Sequence, residues 1–171
     1  MHKEFAQIAV EIVQDAGGKL VGRTRIQKIG YLLEACGFEE NLQYVYKHYG
    51  PYSESLSTGI LNAGLVGVLE EIEQQASWGG TYSVFKTPTT SGAKVSKERL
   101  SLIKEAANAD SVELELAATA LFLFKSGFPT SAWEETARRK PDKIVNGRIE
   151  KAKLLYNKLS KIECPNPLPS F

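Results

Sequence analysis

Three groups of residues in this chain have the types and spacing to do chemistry. The first is the run Tyr44-Val45-Tyr46-Lys47-His48-Tyr49-Gly50-Pro51-Tyr52-Ser53. Its rings can stack on nucleic-acid bases while Lys47 meets a phosphate. The same run also suits a structural strand, because a tyrosine packs its ring inward and keeps its hydroxyl wet. On an extended backbone Tyr44, Tyr46 and His48 share one face and Val45, Lys47 and Tyr49 the other, so one set must turn to the core. The second group is Arg23, Arg25 and Lys28. These can reach phosphates, or form a solvated face, or anchor acids such as Glu70 and Glu71. The third is the segment 138–161, where nine basic residues face only Asp142 and Glu150, a local charge of +7. Such a stripe fits RNA, DNA or an acidic partner, and fits equally a solvated amphipathic helix.

Acid–base and nucleophilic chemistry has little to draw on. The two histidines are His2 and His48. A Ser/His or Cys/His unit needs a base held beside the nucleophile. His48 would need Ser53 or Cys36 brought to it, and no motif does so. Metal-ligand spacing is absent, as is a GxxxxGK[ST] phosphate loop. The expectation is a non-enzymatic protein with no cofactor.

The 171 residues are 43% apolar and 24% charged, values ordinary for a globular chain, and the net charge of +1 favours no class of partner. Cys36 lies in an apolar helical pattern and Cys164 in a Pro-rich tail, which makes no disulfide framework. The N-terminus lacks a signal-peptide core. The longest apolar stretch, Leu116 to Phe124, falls short of the roughly 20 residues that span a bilayer. These features point away from membranes and toward a reducing cytoplasm.

The elements that must position the three groups follow from periodicity. Phe5, Ile8, Ala9, Ile12 and Val13 repeat as one helix face, stopped by Gly17-Gly18. Thr24 with Gln27 forms a capping box for a second helix, with Ile26, Ile29, Leu33 and Cys36 inward and Gly37 as its stop. An extended segment covers 42–49, and Gly50-Pro51 turns the chain. Ser53 caps a third helix with Leu56, Ile60, Leu61 and Leu65 inward. Strands at 68–73 and 81–86 enclose the tip Trp78-Gly79-Gly80 as a hairpin. Helix, helix, helix, hairpin is the order of a winged helix. A Pro/Thr/Ser/Gly-rich linker, Pro88 to Gly92, leads to all-helical patterns. Ser96 caps one helix; Asp110 with Glu113 caps another that is apolar nearly all round. Ser131 with Glu134 opens a short helix carrying Trp133. Pro141 starts the last, with Val145, Ile149, Ala152, Leu155 and Leu159 as its stripe. The expected fold is mainly α with a small β-hairpin (α+β). It comprises a winged-helix-like unit at 1–88, a helical unit at 93–162 packed on it, and a flexible Pro-rich tail at 163–171.

Two stretches carry a resemblance. Gly22-Arg23-Thr24-Arg25-Ile26-Gln27-Lys28-Ile29-Gly30-Tyr31-Leu32-Leu33 and Tyr46-Lys47-His48-Tyr49-Gly50-Pro51-Tyr52-Ser53 resemble the YwgA-like uncharacterised bacterial and archaeal proteins. More distantly they resemble the SocA/Panacea domain. Leu114 to Thr119 and Trp133 to Pro141 also look YwgA-like. The resemblance implies a winged-helix-like core with added helices. The SocA/Panacea likeness implies an antitoxin role, with the domain holding a toxin through protein contact.

The outward residues of the third helix, Ser53, Glu54, Ser57, Thr58 and Asn62, include no cation, and the hairpin tip has none. DNA affinity leans on cations that neutralise phosphate. A protein-interaction module is therefore expected, with a toxin or other protein partner meeting Arg23, Arg25, Lys28, Tyr46, His48, Tyr49, Tyr52 and Ser53; a third reading is a homodimer formed through the polar outer face. The alternative is a nucleic-acid-binding regulator using Arg138, Arg139, Lys140, Lys143, Arg148, Lys151 and Lys153.

Overall fold

A computed structural model describes residues 3–88 and 94–171. His2 and all of the expected linker but Pro88 lie outside those residues. Helix α1 (Phe5–Asp15) buries Ile8, Ala9, Ile12 and Val13, the stripe its spacing predicts. Gly17 and Gly18 take positive φ and turn the chain into β1 (Lys19–Val21). This strand was not among the expected elements, since three residues are too few to show a period.

Helix α2 (Arg23–Ala35) is buried over every residue from Ile26 to Leu33, not along one stripe. It has no capping box. Gly22, at φ +98, leads into the helix without a side-chain cap. The Gln27 side chain reaches across to Ser53 instead. Next comes a hairpin, β2 (Tyr44–Lys47) and β3 (Gly50–Ser53), with Tyr46 opposite Pro51. The turn is therefore His48-Tyr49. Gly50 and Pro51 lie in the returning strand, contrary to the expected turn there.

Helix α3 (Glu54–Leu65) is capped by Ser53, whose Oγ accepts from Leu56 N at 3.0 Å. Its buried positions are Leu56, Gly59 and Ala63. Leu61 and Leu65, expected inward, are exposed. The reason lies at Gly59, where a Cβ would collide with the backbone of Phe5. With no side chain there, α1 approaches closely, and Gly59 and Ala63 join Leu56 on the buried face in place of Leu61 and Leu65. Strands β4 (Glu70–Gln75) and β5 (Thr81–Lys86) follow. With β1 they form an antiparallel sheet in the order β1-β5-β4, with Leu20 opposite Phe85 and Ile72 opposite Val84.

The helices of the second half are α4 (Lys97–Asn108), α5 (Ser111–Lys125), α6 (Ala132–Arg139) and α7 (Arg148–Ser160). Ser96 caps α4 and Asp110 caps α5 with their side chains. α5 is buried at every position from Leu114 to Leu121. α7 begins later than expected. Pro141 opens turns, and Asn146 and Gly147, both at positive φ, break the chain before Arg148. Val145 is consequently exposed, and the inward stripe is Ala152, Leu155, Tyr156 and Leu159.

The fold is mixed α+β, with one apolar core running across the expected boundary. Its two central helices, α2 and α5, pack directly on each other. The tail does not hang free as expected. Leu168 is buried, Phe171 stacks on Phe124 at 4.7 Å, and Asn166 N donates to Cys36 O at 2.9 Å. Its prolines suggested disorder, but Leu168 and Phe171 supply apolar surface for burial. No helix among the described residues is long and apolar enough to cross a membrane.

The two helical glycines of α3 should respond oppositely to a methyl group. Gly59→Ala forces α1 away and is expected to cost about 1–3 kcal/mol. At Gly64 the nearest atom to a new Cβ is 3.7 Å away, so Gly64→Ala is expected to stabilise by roughly 0.5–1 kcal/mol. Denaturant midpoints of the two variants against the parent check both.

Candidate functional site

The tyrosine hairpin is held from both sides by cations on other elements. From α2, Lys28 Nζ donates to Pro51 O at 2.7 Å. From the end of α6, Lys140 Nζ donates to His48 O at 3.0 Å. Lys143 lies 4.6 Å from the centre of the Tyr49 ring, and the Arg139 guanidinium 4.8 Å from that of Tyr46. Beneath them α5 contributes Glu115, only 3% exposed, which accepts from Lys140 at 2.7 Å and from Lys143 at 2.6 Å. Arg138 and Arg139 share Glu135, whose carboxyl their hydrogen bonds bring down to about 2.

The two residue sets anticipated as rival binding surfaces thus meet each other. Arg139, Lys140 and Lys143, expected to face nucleic acid, bind the hairpin that was expected to face a partner. Lys140, buried, is not a surface cation at all. Arg148 lies 3.8 Å from Asp110, and Lys153 lies 3.4 Å from Glu150. Lys151 is exposed on α7. The +7 segment is therefore no single basic face. It is split between α6, a turn region and α7, and its countercharges come mainly from elements that precede it.

The other expected contact residues also divide. Ser53 is fully buried: besides capping α3 it donates to Leu42 O, and Gln27 brackets its backbone, with Ser53 N donating to Oε1 at 2.9 Å and Nε2 donating to Ser53 O at 3.0 Å. Arg25 points away from the hairpin. Its guanidinium meets Ala107 O at 3.0 Å, with Ala106 O and Ala109 O nearby, at the C-terminal end of α4, where a helix favours positive charge. Tyr46 is half-buried between Arg139 and Phe122. The remaining five, Arg23, Lys28, His48, Tyr49 and Tyr52, line one groove of about 580 Å³ between the hairpin, α2, α3 and the β4–β5 pair. Arg23 pairs there with Glu71, which also accepts from Ser83 Oγ at 2.6 Å. Lys47 pairs with Glu54 at 3.4 Å and lies 4.0 Å from the centre of the Tyr52 ring.

Lys28 is the unusual member. Expected at the surface, it is only 1% exposed, and among the described residues no carboxylate pairs with it. Burial drives its ammonium down to about 7; Glu115 resists, while Lys140 and Lys143 add to the depression. Close by, the Thr119 hydroxyl is buried and has no hydrogen-bond partner among the described residues. Gly50, at φ +87, lets the hairpin settle here, because a Cβ would strike Thr119 Oγ1 and lie 3.9 Å from Lys28 Cε. Glu115 and Thr119 were absent from the expected site. The available signal was a carboxylate inside an otherwise apolar helix, a placement that requires a partner.

The folded pKa of Lys28, about 7, lies below the free value of 10.5. Burying its charge therefore weakens the fold throughout the range below about 7. The penalty lifts as pH rises from there toward 10.5, because the folded lysine sheds its proton first. Lys28→Met is expected to be more stable than the parent at pH 6, with the parent gaining on it steadily above pH 7. Thermal melts of both proteins across that range, read as a difference, check the slope.

No protein-family model matches this chain, and no solved structure matches it. It is similar to the uncharacterized protein YwgA of Bacillus subtilis (strain 168), 30% identical over 93 residues, which make up 54% of this chain and 54% of that protein. The chain thus spans about half the length of the curated relative it matches. This likeness agrees with the YwgA-like character of the motifs and does not extend to SocA/Panacea.

Proposed function

We propose that this chain is a non-enzymatic protein-interaction module whose first half is a winged-helix-type unit. The observation that carries the reading is the outward side of α3. Leu61 and Leu65 are 62% and 77% exposed there, and Val66 and Val68 follow them into solvent. α3 contains no lysine or arginine, and its one charged residue is Glu54. Neighbouring exposed apolar side chains favour contact with protein. A helix that reads DNA relies on cations to meet phosphate.

Other observations support parts of this reading. The sheet order β1-β5-β4, with α1, α2 and α3 interleaved, is the arrangement a winged-helix-type unit would have. Ser53 Oγ is engaged as a cap, and Cys36 is fully buried, so neither nucleophile weighed beside His48 is presented to it. Nucleic-acid binding through the C-terminal segment is the weaker alternative, since most of its named cations are matched by Glu115, Glu135, Asp110 or Glu150.

Leu61→Glu combined with Leu65→Glu is the direct test. The tagged full chain is expected to co-purify with a protein partner from its host cells. The double variant should lose that partner while keeping the parental thermal midpoint, because both side chains are exposed. Recovery of the partner by the variant, or of the chain alone as a homo-oligomer, would overturn the reading. Filter binding with duplex DNA and RNA at low salt is expected to show no retention above background, and salt-sensitive retention would instead favour the basic segment.

A further inference from the structure

The groove between the hairpin and α3 is lined by Lys28, a buried cation that no carboxylate pairs with among the described residues. Two of its cations, Arg23 and Lys47, already have carboxylates in Glu71 and Glu54. Lys28 has none among the described residues, and Pro51 O takes one of its three N–H donors. Glu115, the buried acid whose charge acts on Lys28, is shared by Lys140 and Lys143. A buried ammonium that lacks a countercharge is costly, and an anion brought beside it removes that cost. On the wall that α3 forms, Ile60 and Leu61 are apolar, and Leu61 is exposed.

We propose that this groove receives a protein segment that places a carboxylate side chain against Lys28 Nζ and an adjacent apolar side chain against Ile60 and Leu61. The inference rests on the protein-interaction reading and specifies the chemistry of the partner. A carboxylate favours the protonated lysine over the neutral one. Binding therefore raises the Lys28 titration midpoint, and by linkage the segment binds more weakly as pH climbs through the free protein's midpoint near 7. Tyr52 and Lys47 at the rim, with the ring and ammonium 4.0 Å apart, leave a polar entrance beside the apolar wall.

The probe is the capped tripeptide acetyl-Leu-Glu-Leu-amide, with acetyl-Leu-Gln-Leu-amide as its neutral twin and sodium acetate as the free carboxylate. The readout is the pH titration of the Lys28 Cε resonance in the full chain labelled with 13C-lysine. The resonance is assigned by its absence in Lys28→Met. The Glu peptide is expected to move the midpoint up by about one unit, equivalent to about tenfold tighter binding to the charged lysine. The Gln peptide should leave it in place, and acetate alone should shift it less than the peptide. An unmoved midpoint with the Glu peptide, or an equal response to both peptides, overturns the proposal. Acetate matching the Glu peptide also overturns it, since the site would then bind any small carboxylate. If a partner is captured from cells equally well by the parent and by Lys28→Met, the interaction reading survives and this one falls. Should Lys28→Met fail to fold, Lys28→Arg provides the assignment and the parent titration still decides.

Discussion

Glu115 places a carboxylate inside a helix that is otherwise packed among apolar side chains, and such a charge persists only when it is paired. Lys140 and Lys143 pair it, and that requirement fixes much else. Lys140 must come inward from the end of α6, which sets where the chain turns before α7. Once inward, its ammonium also holds the carbonyl of His48, so the tip of the tyrosine hairpin is tied to the second half. Lys143 and Arg139 extend the tie through the Tyr49 and Tyr46 rings. The two halves of the molecule are joined by apolar packing of α2 on α5 and by this polar seam beside it.

Close backbone approach is the second organising constraint. Gly59 lets α1 meet α3, and Gly50 lets the hairpin rest on α5. Gly30 leaves room for the Tyr44 hydroxyl, which would otherwise lie 2.5 Å from a new Cβ. Each glycine acts by what it omits. The consequence at α3 reaches the surface, because Gly59 and Ala63 share the buried face with Leu56 and leave Leu61 and Leu65 in solvent. The apolar outer side of α3 and the lysine in the adjoining groove, which no carboxylate pairs with among the described residues, then present two kinds of chemistry next to each other. On the proposed reading a protein segment satisfies both at once, whereas a nucleic-acid backbone would meet Glu54 and apolar side chains there.

Helix periodicity was legible in α1 but not throughout α3, where Gly59 and Ala63 face inward in place of Leu61 and Leu65. α1 follows its stripe, and Ser53, Ser96 and Asp110 cap helices as their positions imply. Strand β5 lies where its β-branched and aromatic residues put it. Elements without a period were not legible: β1 is short, and the hairpin turn depends on how β2 and β3 sit on α2 and α5. Side-chain polarity misled where long-range partners decide burial. Lys28 and Lys140 read as surface cations because exposure is the default for a lysine side chain. The tail read as disordered because its prolines outweighed Leu168 and Phe171 in local composition.

By itself the sequence determined a mixed α and β chain, most of its helices, and the residue types of the candidate groove. These depend on local periodicity, caps and turns, which act within a few residues. Only the tertiary structure decided which charges are buried and which residues share a site. A lysine's burial and protonation depend on groups far along the chain, such as Glu115 for Lys140 and the hairpin carbonyls for Lys28. Desolvation and ion pairing are set by distance in space. Part of the anticipated basic segment, Arg139, Lys140 and Lys143, therefore lies against the tyrosine hairpin and does not form a separate face.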